Sequence, residues 1–228
     1  MPNPFDSFRA KAWPFKYHVA FTVHELHGGT PRNPDVVRSW LIAKAGYTDE
    51  AQLEAEVARI FADDPTRPDA EVADQAIKAM TDRHLNGFKR DANGLFMEGR
   101  HLKACLKEAC NVCLATGKLP KKWGETNKGL MSFAPEHIMV LDDRLHLGRD
   151  DHDDIRTRFV STWRGTGITV EEIVFDAKVE ATVVSDHAFT DEQWAMIWLT
   201  AEQIGFGASR SQGFGKFTVT EWTREDQR

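Results

Sequence analysis

The chain has no long apolar run. Nowhere do its 228 residues approach the roughly 18 consecutive apolar positions that a membrane-crossing helix needs. Its opening stretch, MPNPFDSFRAKAWPF, lacks the apolar core of a secretory leader, so the sequence predicts an intracellular, cytoplasmic location and no membrane partner. Cysteine is scarce. Cys105, Cys110 and Cys113 form one odd, clustered set, which excludes a disulfide framework and fits a reducing compartment. Internal repeats and low-complexity linkers are absent. So is an excess of positive charge: the net value of −6 argues against nucleic-acid binding, an argument that the uneven distribution of charge weakens.

What charge there is lies unevenly. Residues 47–74 carry nine acidic side chains against two basic ones, whereas residues 98–128 carry seven basic against three acidic. The acidic stretch and the basic stretch are thus separate in sequence. A chain of 228 residues suits one large domain or two small ones, and it can bury a real core.

Hydrophobic periodicity predicts the elements. Residues 15–26, FKYHVAFTVHEL, alternate with Tyr17, Val19, Phe21 and Val23 on one face, the pattern of a half-buried strand that HGGTPRNP then stops. Residues 35–46, 48–64 and 69–85 read as helices, the second capped by Thr48. NGFKRDANG reads as a turn-rich connection. EGRHLKACLKEACNVCLATG reads as a helix with Leu102, Cys105 or Leu106, Ala109 and Cys113 on one stripe. HIMVLDDRLHLG suggests a hairpin around Asp142-Asp143. TRFVSTW and ITVEEIVFDAKVEATVV are β-rich, the latter with alternation at Val174, Asp176, Lys178 and Glu180. TDEQWAMIWLTAEQIG is a helix capped by Thr190, with Glu192 close to a capping-box position and Trp194, Met196 or Ile197, and Trp198 inward. KFTVTEW is the last strand. With residues 34–93 set aside as a helical insertion after the first strand, the order is that of an α+β fold. It is a ferredoxin-like (RRM-like) βαββαβ antiparallel sheet in a single domain, 1–228.

The segment IGFGASRSQGFGKFTV holds glycines at 205, 207, 213 and 215. It is not a dinucleotide loop: Arg210 stands where the third glycine is required, and the segment follows a helix rather than a strand. No Gly-Lys-Ser/Thr follows, which excludes a P-loop. In QGFGKF, Gln212 and Lys216 replace the base and the stacking aromatic of the RNA-recognition signature. No cofactor is therefore expected. What the glycines permit is positive φ and close backbone approach, so that successive N–H groups cup an anion, with Ser209, Arg210, Ser211 and Lys216 adding donors suited to phosphate. A plain helix stop followed by a tight turn explains the same composition.

GFGASRSQGFGKFTV resembles the C-terminal glycine-rich loop of the RAMP superfamily, the repeat-associated RNA-binding proteins of CRISPR systems. Gly205, Gly207, Arg210, Gly213, Phe214 and Gly215 occupy the pattern's places. LFMEGRHLKACLKEA is similar to the family's helix entry at Gly99, Leu102 and Lys103. It departs from that entry at Glu98, where proline is common, and at Ala104, where glycine is. The likeness covers the first strand and residues 95–222. It implies single-stranded RNA, a guide RNA above all, held through phosphate contacts by Gly205, Gly207, Ser209, Arg210, Ser211, Gln212, Gly213, Gly215 and Lys216. The helix entry adds Arg100, His101, Lys103 and Lys107 near an N-terminus whose dipole favours phosphate. It further implies a backbone subunit of an effector ribonucleoprotein, repeating as a homo-oligomer along RNA beside other effector-complex subunits. Some members instead cleave RNA; His24, His27 and Asp35 are the candidates that this chain offers. A third reading is a structural or protein-interaction subunit in which the loop only packs. No metal site is expected: the Cys105-x4-Cys110-x2-Cys113 spacing lacks a fourth ligand and reads as buried thiols on a helix.

Overall fold

The structure is a computed structural model, and it describes residues 12–31, 38, 42, 49–62, 85–116, 134–162 and 165–225. The chain divides into two compact units. The first comprises residues 1–26, 97–147 and 176–228, the second residues 27–96 and 148–175.

In the first unit, strand β1 (Phe15–His27, whose last residue belongs to the second unit) forms because its apolar side chains recur at every second position. Tyr17, Val19, Phe21 and Val23 are all buried, and His18, Ala20, Thr22 and His24 face the other way. The sheet runs β10-β1-β9-β6, taking β6 as Ile138–Val140, β9 as Gly165–Ser185 and β10 as Phe217–Glu225. Strand β10 is antiparallel to β1, from Lys16 opposite Glu225 to Val23 opposite Phe217, with a bulge at Ala20/Phe21. Strand β6 is antiparallel to the end of β9, Ile138 opposite Ser185.

Two helices cover the face that carries Tyr17 and Phe21. Helix α2 (Gly99–Ala115) buries Leu102, Cys105, Leu106, Ala109, Cys110 and Cys113. Helix α3 (Asp191–Ile204) buries Trp194, Ile197, Trp198, Thr200 and Ala201. The Thr190 hydroxyl accepts from the Gln193 N–H, and the Gln193 side chain accepts from the Thr190 N–H. The capping box therefore uses Gln193, the third helical residue, and not Glu192 as the sequence suggested. Trp194 packs edge-on to Tyr17 at 5.1 Å, and Trp222 stacks on Tyr17 at 4.6 Å, so the strand and helix aromatics form one cluster. Between the helices, Cys105 Sγ contacts the Ala201 carbonyl at 3.6 Å and Cys113 Sγ lies 3.2 Å from Thr200 Oγ1.

The second unit holds β2 (Thr30–Pro31), helix α1 (Glu50–Ala62), β3 (Leu85–Gly87), β4 (Lys89–Asp91), the start of β5 (Gly94–Glu98), β8 (Asp154–Thr162) and the first half of β9. Strands β8 and β9 make a long antiparallel ladder, Asp154 opposite Ile173 to Thr162 opposite Gly165. Strand β3 joins β9 in parallel, and β2 pairs with β3. Two adjacent carboxylates of β9 point to opposite faces and are both buried. Glu171 meets His27 and Arg158; Glu172 meets Arg90 and the Phe88 N–H. Burial pushes the Glu171 carboxyl up, but the hydrogen bonds and charges of His27 and Arg158 outweigh it and hold it below the usual value.

Three expectations change. Residues 137–148 are no hairpin: β6 pairs with β9, and β7 (Arg144–His146) lies in another sheet. NGFKRDANG is not mere connection, since β3 and the antiparallel β4–β5 pair run through it. The alternation in β9 does not hold across Asp176. Val174 is buried on a stretch where both faces are covered, Ile173 and Val174 alike, whereas Asp176 (φ +49°), Lys178 and Glu180 are exposed and Ala177, Val179 and Ala181 are buried. Thr48 lies outside the described residues; Asp49 Oδ1 accepts from the Ala51 N–H at the start of α1. No helix of the described residues is long and apolar enough to cross a membrane.

Candidate nucleic-acid interface

Helix α3 ends at Gly205, whose φ of +88° and ψ of +163° lie in a region open to glycine alone. From there the chain arches over residues 205–216 and returns as β10. The arch is held at both feet. The Phe206 N–H donates to the Gly215 carbonyl at 2.7 Å, the Gly215 N–H to the Glu25 carbonyl at 2.8 Å, and the His24 N–H to the Lys216 carbonyl at 3.0 Å. A Cβ at Gly215 would stand 1.9 Å from the Phe206 carbonyl oxygen, and one at Gly207 would stand 2.6 Å from Leu26 Cδ1. Gly215 lets two backbone segments touch, and Gly207 lets the chain lie close against the Leu26 side chain. Phe206 fills the core beneath them, edge-on to Phe21.

The crown of the arch is different. Ser209 takes a left-handed conformation at φ +57° and leads into a 3-10 turn, Arg210–Gln212, closed by Gly213 at φ +91°. A Cβ at Gly213 would meet nothing within 4 Å. Ser211, Gln212, Gly213 and Lys216 are exposed. Among the described residues, no hydrogen bond reaches the main-chain N–H of Gly207 or Ala208. Two successive main-chain donors without a partner thus lie two to three residues before Arg210 in the same arch. Arg210 Nη1 donates to Glu108 Oε2 at 2.9 Å, and the guanidinium also interacts with the Cys105 thiol, so α2 holds part of its fork of donors and the rest remains. The arrangement suits an oxyanion with more than one acceptor oxygen.

The four bases of α2 are dispersed. Lys103 donates to the Pro135 and Ile138 carbonyls, and burial lowers its pKa, with the Lys107 charge adding to the effect. It is committed to the fold. Arg100 is exposed and bonded to Glu98; His101 is 3.9 Å from the same carboxylate; Lys107 is exposed. Arg100 lies about 12 Å along the helix from Glu108, given a rise of about 1.5 Å per residue. The structure therefore joins the loop to the middle of α2, not to its N-terminus. That N-terminus borders an open groove of about 450 Å³ in which Glu98, Asp142 and Asp143 outnumber Arg100 and Lys103. The Gly99 N–H is already taken by the Asp143 carbonyl at 2.9 Å. By charge, this end disfavours phosphate.

The histidine candidates fare differently. His27 is fully buried, 2.6 Å from Glu171, and faces no solvent. His24 is exposed, with Nε2 2.9 Å from Thr218 Oγ1 and Nδ1 3.8 Å from Asp176 Oδ1. Asp35 lies outside the described residues. The cysteines are buried thiols; burial pushes Cys105 and Cys110 up to about 12. Among the described residues no group of three or more His, Cys, Asp or Glu is placed to hold a metal ion. Glu108 and the two open N–H groups escaped the sequence reading, since 102 positions separate Glu108 from Arg210 and a backbone donor leaves no trace in side-chain identity.

No protein-family model and no curated protein matches the chain. Among solved structures it is similar to a chain of the Type III-B Cmr-beta complex bound to cognate target RNA, at 12% identity and a TM-score of 0.44, over 96% of this chain and 64% of that one. It is also similar to a chain of a Type IV-B CRISPR complex, at 10% identity and a TM-score of 0.43, over 93% of this chain and 92% of that one. The chain thus spans under two thirds of the length of the first of these.

Proposed function

We propose that this chain is a RAMP-type subunit that holds single-stranded RNA by its phosphates within a CRISPR-like effector ribonucleoprotein. Its first unit then follows the ferredoxin-like plan: β1, α2, β6, β9, α3 and β10 in sequence, with the sheet order β10-β1-β9-β6. The observation that carries the reading is the arch after α3. Its feet are locked by backbone contacts, while its crown presents Arg210, the Gly207 and Ala208 N–H groups and the exposed Ser211, Gln212, Gly213 and Lys216. Such contacts read charge and shape rather than base sequence. In this reading the exposed Lys107, next to Glu108, is a secondary contact, and the role is that of a backbone subunit repeating along a guide RNA beside other subunits.

The test is purification without nuclease, followed by digestion of any bound material with RNase or DNase and by titration of a fluorescent single-stranded RNA at low salt. RNA that co-purifies and is released only by RNase is the expected result. A protein that arrives free of nucleic acid and leaves the labelled RNA unbound overturns the reading.

A further inference from the structure

The sheet of the first unit ends at β6, which pairs with β9 and, among the described residues, with no other strand. Its outer edge carries unspent backbone groups. The Leu141 N–H donates to the Thr182 carbonyl at 3.0 Å. By the alternation of an antiparallel ladder, Met139 then bonds Val184, whereas Ile138 and Val140 turn their N–H and C=O groups away from β9. Lys103 agrees with that direction, since its ammonium reaches the Ile138 carbonyl. Among the described residues no partner meets the N–H or C=O of Val140. Two apolar side chains at this edge face solvent, Met139 at 42% and Leu141 at 54% exposure. Asp142 and Asp143 follow directly. The Asp142 carboxylate accepts from the Thr182 N–H and Asp143 is exposed, and among the described residues no cation pairs with either. The nearby bases are already engaged, Arg100 with Glu98 and Lys103 with two carbonyls.

We propose that the free edge of β6 is a protein-docking site, which takes an extended, basic segment of a different partner chain as an added strand. The proposal stands apart from RNA binding at the arch. A strand laid about 4.8 Å from β6 bonds the N–H and C=O of Val140. Its apolar side chains, at alternate positions, cover Met139 and Leu141. Lysine or arginine next along that strand meets Asp142 and Asp143. Charge selects among the occupants. Two unpaired carboxylates repel RNA phosphate. A second copy of this chain fits poorly. Pairing β6 with itself about Val140 sets Asp142 opposite Ile138, which is apolar and answers no charge. Pairing with β10, at the sheet's other end, offers Glu221 and Glu225 against Arg224 alone. A basic extended segment supplies what both of these lack. Soluble proteins blunt or cover an open apolar strand edge. Here the acidic pair blunts it against like-charged chains and admits one of opposite sign.

The experiment titrates the full chain against a fluorescein-labelled, end-capped peptide, Thr-Val-Thr-Val-Arg-Arg, and against the same peptide ending in Glu-Glu. Anisotropy is read at low and at high salt. Expected is binding of the arginine peptide alone, weakened by salt. Asp142→Asn combined with Asp143→Asn keeps an acceptor for the Thr182 N–H and should weaken that binding about 3–30-fold, as the loss of two exposed charge pairs does. Val140→Pro removes the outward N–H but no bond to β9, and should abolish peptide binding with an unchanged circular dichroism spectrum. Equal affinity for the two peptides, binding of neither, or binding that survives both variants overturns the proposal. So does a dimer in sedimentation that Val140→Pro dissolves, because a second copy then holds the edge. Single-stranded RNA that displaces the peptide overturns it too.

Discussion

The arch after α3 predicts that two of its glycines, two positions apart, fail in different ways. In Gly215→Ala the new Cβ meets the Phe206 carbonyl oxygen at 1.9 Å, so backbone must move. The move breaks the bonds from Phe206 N–H to Gly215 and from Gly215 N–H to Glu25, at 2.7 and 2.8 Å, each worth about 1 kcal/mol. The φ of +74° adds about 1–2 kcal/mol for any residue with a Cβ. The total is about 3–4 kcal/mol, a fall in Tm of about 6–16 °C for a chain of this size. Gly213→Ala carries only the conformational cost, about 1–2 kcal/mol, because no atom lies within 4 Å of its Cβ. Its Tm should fall by about 2–8 °C, yet RNA binding should weaken, since the methyl stands at the open crown. Thermal melts of both variants and RNA titration of Gly213→Ala form the assay. A Gly213→Ala protein that melts as low as Gly215→Ala refutes the division between feet and crown.

Further outcomes follow from the buried charges and thiols. The folded-state pKa of Glu171 lies below its unfolded value, so its stabilisation is present above the ordinary carboxylate range and is lost as pH falls through the folded value. Denaturant melts should therefore lose stability on acidification below about pH 4.5. Glu171→Gln should abolish that part of the loss while costing about 3–5 kcal/mol at neutral pH, because the largely buried Arg158 guanidinium is left without its carboxylate; an unchanged acid limb speaks against the pairing. Native Cys105 and Cys110 should resist iodoacetamide until the protein unfolds, because burial holds their thiols protonated; rapid labelling of the folded chain contradicts that burial. Glu108→Gln keeps the shape of the contact with Arg210 but removes its charge, and should tighten RNA binding at low salt; weaker binding would show that the carboxylate chiefly positions the guanidinium.

Much of the first unit is legible in the sequence because its signals are local. The alternation Tyr17, Val19, Phe21, Val23 and the stripe along α2 each lie within one element, and both faces are buried as the period demands. Thr190 was legible as a cap for the same reason; the partner is Gln193 because the reciprocal bond requires the third helical position. What failed was long-range. DD at 142–143 between apolar triplets looks like a turn. Yet Thr182 N–H donates to Asp142 Oδ2 and Gly99 N–H to the Asp143 carbonyl, contacts with residues some 40 positions away that lead β6 to β9. Nothing in the sequence around Asp176 signals its left-handed backbone, nor that both faces of β9 are buried before it. Of the loop, sequence revealed the glycines but not their division of labour, which depends on what a Cβ would meet.

The central claim is that Arg210 at the crown of the arch meets an RNA phosphate. The direct test is the salt dependence of single-stranded RNA affinity for the unaltered chain and for Arg210→Ala. Each phosphate contact on a single strand contributes about 0.7 to the slope of log affinity against log salt. The account predicts that Arg210→Ala folds normally, since its exposed pair with Glu108 is worth at most about 1 kcal/mol, and that it flattens the slope by about 0.7. A variant with the slope and the affinity of the unaltered chain contradicts it.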